Sequence, residues 1–584
     1  MSHDSGEKKA QNNKPVILAI FALLIVYLIL LFAFKDSFFA AESAPAEPAA
    51  SEAATESVAE TTEPAADPAA APAETAAADT AVPAVEATET QSAETSAASA
   101  EAAQHAEHGN HAAHMPPYWM ALPFAFLLLA IAVFPLIPAT EHWWESNLHR
   151  FYVAAGLGII TLAYYSFMYP YPVHGHWHFY GGEREGLEAG FAIFTSAIMN
   201  EFIPFIVLLF ALFTIAGGIR ISGDLKASPM VNTVIMFIGG VLASFIGTTG
   251  AAMLLIRLLL ETNKQRKYVA HTVIFFIFIV CNCGGCLLPI GDPPLFLGYL
   301  RGVPFLWTFA LWKEWLFVNF VLLAIYFIWD SFIAYPRESS SDLNKDRLET
   351  KKLSIEGLFP NGLLLLGIVL CVALLDPSKQ IPGTSFTPPQ YLREICQLVL
   401  VALSLLMGSV KVREENDFNY GAIIEVAALF FGIFICMQAP LQILNVKGGE
   451  LNLQATDTHK FFWATGSLSS VLDNAPTYVV FYETGKAVCS AESEKMAAAG
   501  KTQEEITSEI RPVANTGVGA GLLAAVSLGA VMMGAMTYIG NGPNFMVKAI
   551  AEQSGVKMPS FFGYMVYSVC ILFPILLVMT FIFL

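Results

Sequence analysis

Two carboxylates stand inside apolar sequence, where charge is costly. Asp292 lies in Gly284-Gly-Cys-Leu-Leu-Pro-Ile-Gly-Asp-Pro-Pro294, and Asp473 lies in Leu472-Asp-Asn-Ala-Pro476. A carboxylate in such surroundings is paired, protonated or facing water, so an ion-handling role is the first expectation. Burial disfavours the charged form of Asp, whereas a bound Na⁺ favours it. Competition between Na⁺ and H⁺ for one carboxylate is sufficient for exchange. The plainer alternative is that each Asp only caps the half-helix that follows it. Other polar interruptions supply uncharged oxygens or amides suited to an ion or a carboxylate ligand. Thr248 and Thr249 sit in Gly247-Thr-Thr-Gly250, Asn474 follows Asp473, and Asn541 and Asn544 sit in Tyr538-Ile-Gly-Asn-Gly-Pro-Asn544. Gly291 and Pro293 flank Asp292, and Gly540 precedes Asn541. Pro removes a backbone donor and Gly permits non-helical dihedrals, so both stretches read as helix breaks. An unwound turn frees carbonyl oxygens for Na⁺, and half-helix N-termini can face an anion. Glu201 and Glu425, within long apolar helices, either join a proton path or brace their helices.

Neither tip and neither break contains Lys or Arg, and Arg257, about two helical turns past the first tip, is the nearest intramembrane cation expected. Cys283 and Cys286 have C-x-x-C spacing, but the absence of a second Cys pair or a nearby His cluster favours small, soft residues packing a broken helix. His174-Gly-His176-Trp-His178 has a spacing open to metal but reads as an exposed polar loop. Gly291-Asp292 resembles part of an intramembrane aspartyl protease motif, yet the inverted hairpins and the lack of a second Gly-x-Gly-Asp-like site argue against that reading. No nucleophile–base pair or metal-ligand set appears at the interior positions, so neither an enzyme nor a resident cofactor is expected; Na⁺ and H⁺ enter as transported or coupling ions.

The elements that carry these residues are duplicated. Glu201-Phe-Ile-Pro-Phe-Ile-Val-Leu-Leu-Phe210 echoes Glu425-Val-Ala-Ala-Leu-Phe-Phe-Gly-Ile-Phe434, and Ser244-Phe-Ile-Gly-Thr-Thr249 echoes Ser469-Ser-Val-Leu-Asp-Asn474. Ile290-Gly-Asp-Pro-Pro-Leu-Phe296 echoes Ile539-Gly-Asn-Gly-Pro-Asn-Phe545. The offsets are 224, 225 and 249 residues, and a hydrophilic insertion near Cys489–Arg511 absorbs the extra 24. Duplicated apolar halves, each with a broken helix, are the mark of a secondary transporter.

Composition agrees. The 584 residues are 55% hydrophobic and only 14% charged, with mean hydropathy +0.55, whereas soluble domains carry about 25% charge. Apolar runs of roughly 20 residues recur, each long enough for about 30 Å of hydrocarbon. The net charge of −18 is misleading as a whole, because residues 41–115 hold fourteen Asp or Glu and no Lys or Arg. No basic stripe suggests nucleic acid.

The chain divides into a cytoplasmic N-terminus with a signal-anchor-like segment (1–40), a disordered Ala/Glu/Pro-rich tether (41–116), transporter repeat 1 (117–345) and repeat 2 (346–584). An uncleaved anchor fits the apolar run 15–34 better than a signal peptide, whose core is shorter. The tether cannot bury enough apolar surface to order itself. It ends in His105, His108, His111 and His114, which read as a solvated end, with weak metal or pH sensing as the alternative. Twelve further spans are expected near 118–138, 151–168, 190–219, 230–246, 271–289, 305–335, 358–375, 395–410, 420–443, 461–472, 513–538 and 561–584. Loop charges set the orientation. Arg220 and Lys226, then Lys264, Arg266 and Lys267, then Lys345, Arg347, Lys351 and Lys352, and finally Lys411 and Arg413 mark cytoplasmic connections. Traced from an inside N-terminus, the Glu201 helix runs inward and the Glu425 helix outward, so the repeats are inverted. Residues 41–116 and the C-terminus then lie outside. The segments around Thr248 and Asp473 become re-entrant hairpins, whose polar tips must be buried in protein or line water. The fold class is an all-α polytopic membrane protein of two inverted repeats, each with one such hairpin and one broken transmembrane helix.

At "SSVLDNAPTYVVFYE", "GGCLLPIGDPPLFLGYLRGVPF" and "EVAALFFGIFICMQAP" the chain resembles the citrate-transport family often labelled sodium:proton antiporter. That family belongs to the ion transporter superfamily, with NhaD-type antiporters, arsenite pumps and dicarboxylate/citrate carriers. The resemblance covers about residues 117–584. It implies inverted repeats, re-entrant hairpins, a scaffold plus a transport domain, homodimers and elevator-type alternating access. Asp473-Asn474 with Pro476 is similar to the hairpin tip of the antiporter and arsenite branches. Dicarboxylate carriers instead place Ser-Asn-Thr at both tips, from which Thr248-Thr249 and Asp473-Asn474 depart.

The leading expectation is a Na⁺/H⁺ antiporter of a bacterial-type inner membrane. The alternative is Na⁺- or H⁺-coupled uptake of citrate or a dicarboxylate. A sensor using the His-rich tether is the third reading, and the interior polar breaks argue against it, since an anchor needs none.

Overall fold

A computed structural model describes residues 114–584 except His176 and His178, together with Leu18, Ala22 and Ile25. The tether, His105, His108 and His111, and most of the first apolar segment lie outside the described residues. The chain forms two units, Ala40–His114 and the remainder, and every described helix belongs to the remainder.

The order of elements is α1 (Leu122–Val133), α2 (Asn147–Phe167), a two-stranded hairpin β1–β2 (Val173–Gly175, Gly182–Arg184) and α3 (Leu187–Ala216). Then come β3 (Arg220–Asp224), α4 (Pro229–Ile246), α5 (Thr248–Thr262), α6 (Ala270–Ile279), α7 (Pro293–Leu300) and α8 (Trp307–Arg337). β4 (Lys351–Glu356), α9 (Leu358–Leu374), α10 (Leu392–Met407) and α11 (Gly421–Cys436) open the second half. It closes with α12 (Thr458–Ser469), α13 (Asn474–Ala498), α14 (Ala520–Met533), α15 (Gly542–Gln553) and α16 (Phe561–Phe583). Among the described residues, four helices are long and apolar enough to cross a bilayer, or up to six if each bent pair counts as one span. The expected span at 118–138 is such a pair: α1 stops at Val133 and a separate helix starts at Pro138.

One sequence of elements occurs twice. A long helix, a helical hairpin, a broken helix and a second long helix appear as α3, α4–α5, α6–α7, α8. They recur as α11, α12–α13, α14–α15, α16. The hairpins are closed at their bases. Asn232 at the start of α4 and Asn263 after α5 exchange amide hydrogen bonds of 2.9 and 2.8 Å. In the second hairpin, Glu492 on α13 accepts from the Ala455 N–H, just before α12, at 2.6 Å. The first tip is tighter than Gly247–Gly250, because only Gly247 leaves the helix. Its φ of +81° belongs to the region glycine favours. The second hairpin's returning arm runs past Lys486 to Ala498, and a short helix, Gln503–Ile510, follows with a Thr502/Glu505 capping box. The extra length of the second half is therefore largely helical.

The two bases lie at opposite ends. Thr458, at the start of α12, donates to the terminal Leu584 carbonyl at 2.8 Å. Tyr567, on the same helix as that terminus, instead borders a cavity shared with Asn263 and Lys264. From Tyr567 to Leu584 the helix rises roughly 25 Å. The basic connections gather at the Tyr567 end. β3 pairs antiparallel with β4 (Arg220 opposite Glu356), Arg220 is ion-paired with Glu415, and Arg257 lies 3.3 Å from Asp417.

The broken helices occupy the centre. Residues His271 to Ile279 of α6 are all buried, as suits a helix apolar on every face. The carbonyls freed at the first break are met by side chains. Ser244 and Trp315 donate to the Gly284 carbonyl at 2.6 and 3.0 Å, and Asn319 donates to that of Cys283 at 3.2 Å. At the second break Ser469 donates to Ala530 at 2.7 Å and Tyr564 to Ala535 at 2.8 Å. Such internal partners are what a membrane interior demands. A β-carbon at Gly291 would lie 2.3 Å from the Gly285 carbonyl, and one at Gly540 would lie 2.6 Å from that of Gly534. Both breaks therefore need glycine for close backbone approach. Cys281, Cys283 and Cys286 are buried free thiols. In the 174–178 loop, Trp177 donates to the Tyr391 hydroxyl at 2.7 Å. Among the described residues, no group of three His, Cys, Asp or Glu side chains could hold a metal.

Candidate functional site

Both tips and both breaks meet at Asp292. This residue is the N-cap of α7, 2% exposed, with extended backbone. Its Oδ1 accepts from the Thr248 hydroxyl at 2.8 Å and from the Asn541 amide at 3.2 Å. Its Oδ2 accepts from the Asn474 amide at 2.7 Å. Thr248 is the first residue of α5 and Asn474 the first of α13, while Asn541 is the N-cap of α15. The N-terminal ends of four half-helices thus converge on one carboxylate, each carrying roughly half a positive charge. From there they leave in pairs, α5 packed along α15 and α7 along α13.

Helix positions shift one of the echoes. Pairing Ser244–Thr249 with Ser469–Asn474 sets Thr248 against Asp473, but the N-caps are Gly247 and Asp473. Thr248 therefore matches Asn474, and these two are the residues that reach Asp292. The match of Asp292 to Asn541 stands, since both are N-caps and they touch.

The remaining candidates spread around this centre. Asp473 is half-buried, and its Oδ1 accepts from the Ala475 N–H at 3.3 Å, so it caps α13 beside Asn474. Thr249 is half-buried on α5, Gly291 gives its carbonyl to the Thr248 N–H at 2.8 Å, and Pro293 starts α7. Gly540 forms the tight turn before Asn541. Asn544 is buried one step back, donating to the Gly534 and Thr537 carbonyls at 2.9 and 3.0 Å. Glu201 and Glu425 are not drawn to Asp292. Glu201 lies in a π-helical turn of α3, 3.0 Å from Arg301, and Glu425 lies 3.0 Å from Arg150.

Asn282 and Arg301 were not among the residues that the sequence singles out. Asn282 joins the breaks, donating to the Asn544 Oδ1 at 2.7 Å and accepting from the Asn541 amide at 3.3 Å. It sits in Cys281-Asn-Cys283, where an amide within apolar sequence was the available signal. Arg301 corrects the expectation that Arg257 is the nearest intramembrane cation. It ends α7, nine-tenths buried, between Glu201 and Glu483 of α13, 3.4 Å away. Arg257 is instead at the surface, 40% exposed. α7 is only eight residues long, so its C-terminal end, and Arg301 with it, stays inside.

Chemically, the centre holds a carboxylate in a fixed cage of donors. A carboxylate cannot donate, so the Asn474 amide must present its NH₂ to Asp292. Its Oδ1 then points elsewhere and is buried without a partner among the described residues. An orphaned acceptor beside a buried carboxylate is suited to a small cation. No curated protein matches the chain. Residues 112–584 match the family model described as "Putative citrate transport", and the chain belongs to that family of membrane transporters.

Proposed function

We propose that this protein is a secondary active transporter that exchanges Na⁺ for H⁺ at Asp292, with Asp473 as the second carboxylate of the same centre. One observation carries this reading. Asp292 is held by donors from both tips and from the second break, the Asn474 Oδ1 beside it has no partner, and no Lys or Arg bonds to it among the described residues. Na⁺ would take the Asp292 carboxylate and the Asn474 oxygen together. Protonation of Asp292 would remove the charge and supply a donor toward which the Asn474 amide could turn. The two cargoes therefore exclude each other. The repeats are read as inverted, the basic end as cytoplasmic by the loop charges, the location as a bacterial-type inner membrane, and the assembly as a homodimer.

Purified protein in liposomes with an internal pH dye tests this. Addition of Na⁺ or Li⁺, without citrate, is expected to drive proton movement. Accumulation of labelled citrate with no such movement would sink the proposal.

A second reading is cation-coupled uptake of citrate or a dicarboxylate. It is favoured by the four helix N-termini around Asp292, which suit an anion once a cation offsets the carboxylate, and by the family's description. In that case proton or Na⁺ flux should require citrate.

Asp473→Asn separates charge from capping. Asparagine caps as well as aspartate, so thermal stability should be unchanged while flux falls at least about tenfold. Near-normal flux would leave Asp473 only its capping role.

A further inference from the structure

A cavity of about 1270 Å³ opens at the basic end of the molecule. That is larger than the roughly 300–1,000 Å³ of ordinary small-ligand pockets. Nine Lys or Arg line it against three Asp or Glu. Four of the cations are already committed: Arg220 to Glu415, Arg257 to Asp417, Lys264 to Asp224 and Glu261, and Arg266 to Asp330 and Glu338. The other five, Lys267, Arg337, Lys351, Lys352 and Lys557, are exposed and have no acidic partner within ion-pair distance among the described residues. They come from distant parts of the chain: the connection after α5, the end of α8, β4 and the segment after α15. Folding therefore brings together like charges that repel one another, which costs stability unless an anion occupies the space.

The rest of the lining is of another kind. Trp329 and Ile333 belong to α8, a span-length apolar helix, and Ile333 is 42% exposed. Tyr268, 40% exposed, and Tyr567 stand at the same border. Exposed apolar and aromatic side chains at the end of a membrane helix mark the level of lipid headgroups. A soluble polyanion would use only the basic side chains. A molecule with a phosphate head and hydrocarbon chains would use both.

We propose that this cavity binds an anionic phospholipid of the cytoplasmic leaflet, its phosphate between Lys351, Lys352 and Lys557 and its acyl chains along Trp329 and Ile333. Basic pockets between transmembrane helices on this side suit such headgroups. The site is separate from the transport centre. The cavity lies toward the C-terminal parts of α5 and α15, whose N-termini hold Asp292. Bound lipid would tie β4 and the end of α15 to α8.

Native mass spectrometry of the delipidated full chain, with phosphatidylglycerol or phosphatidylcholine added back, tests the site. Wild type should retain phosphatidylglycerol and not phosphatidylcholine. Lys351→Ala/Lys352→Ala/Lys557→Ala should bind it about a hundredfold more weakly, from roughly fivefold per lysine. Lys351→Arg/Lys352→Arg/Lys557→Arg should bind as wild type does, which separates lost charge from lost fold. Equal retention by the alanine variant, or of phosphatidylcholine by wild type, would overturn the proposal. Displacement of the lipid by millimolar inorganic pyrophosphate or citrate would also overturn it, since the site would then read free anions. None of these outcomes depends on which ion the protein transports.

Discussion

Liposomes carrying Asp292→Asn should show no Na⁺-driven proton movement above empty vesicles, a loss of about a hundredfold or more. The replacement has the same shape and occupies the same N-cap. Its oxygen can still accept from Thr248, and its NH₂ can donate to the Asn474 oxygen once that amide turns over, because no other partner holds that oxygen. The variant loses a negative charge for Na⁺ and an oxygen for H⁺ in a single step. The turned Asn474 amide keeps a partner for the new NH₂, and removing a buried charge relieves its desolvation, so little stability is at stake. The variant should therefore purify as a folded protein with a modest change in Tm. Retained flux would move the exchange chemistry away from Asp292. An unfolded product would instead mark the carboxylate as structural.

The largest stability effect is expected at Arg301. Its guanidinium lies 3.0 Å from Glu201 and 3.4 Å from Glu483, with the Arg301 side chain 11% exposed. Removing one partner of a buried charge cluster leaves the others uncompensated, at about 3–5 kcal/mol. Here Arg301→Met would leave two carboxylates side by side. Neutralising them in the triple variant Arg301→Met/Glu201→Gln/Glu483→Gln should recover most of the lost Tm. Thermal denaturation with gel filtration reads both. If the single variant melts like wild type, the cluster contributes nothing to stability. The three residues belong to α3, α7 and α13, so the cluster links the long helix of the first half to both pieces that reach Asp292 from one end.

Much of this was legible in the chain because membrane insertion leaves strong marks. Apolar runs located α4, α9 and α16 to within a few residues, and loop charges gathered the basic connections that the structure brings to one end. Gly and Pro located both breaks, since those residues change the backbone itself. Thr248, Asp292, Asn474 and Asn541 were all named, and the structure joins them directly. What escaped depends on three-dimensional reach. Glu201 pairs with Arg301 across 100 residues, and Asn282 with Asn544 across 262. Nothing in local spacing reports such contacts. The one-residue shift between the tips was hidden for another reason: Gly247 and Asp473 share no chemistry, only the N-cap position.

The divergence of the half-helices has a consequence for affinity. Thr248 and Asn541 begin the pair α5 and α15, which runs toward the basic end, while Asn474 begins α13, which pairs with the helix of Asp292 itself. A movement that uncovered the carboxylate by parting these pairs would take some donors away from it. Access and binding strength would then change together: wherever the site opens, it also loosens its hold. An ion that boards from one side would be released on the other by the same displacement that exposes it, with no second device needed to push it off.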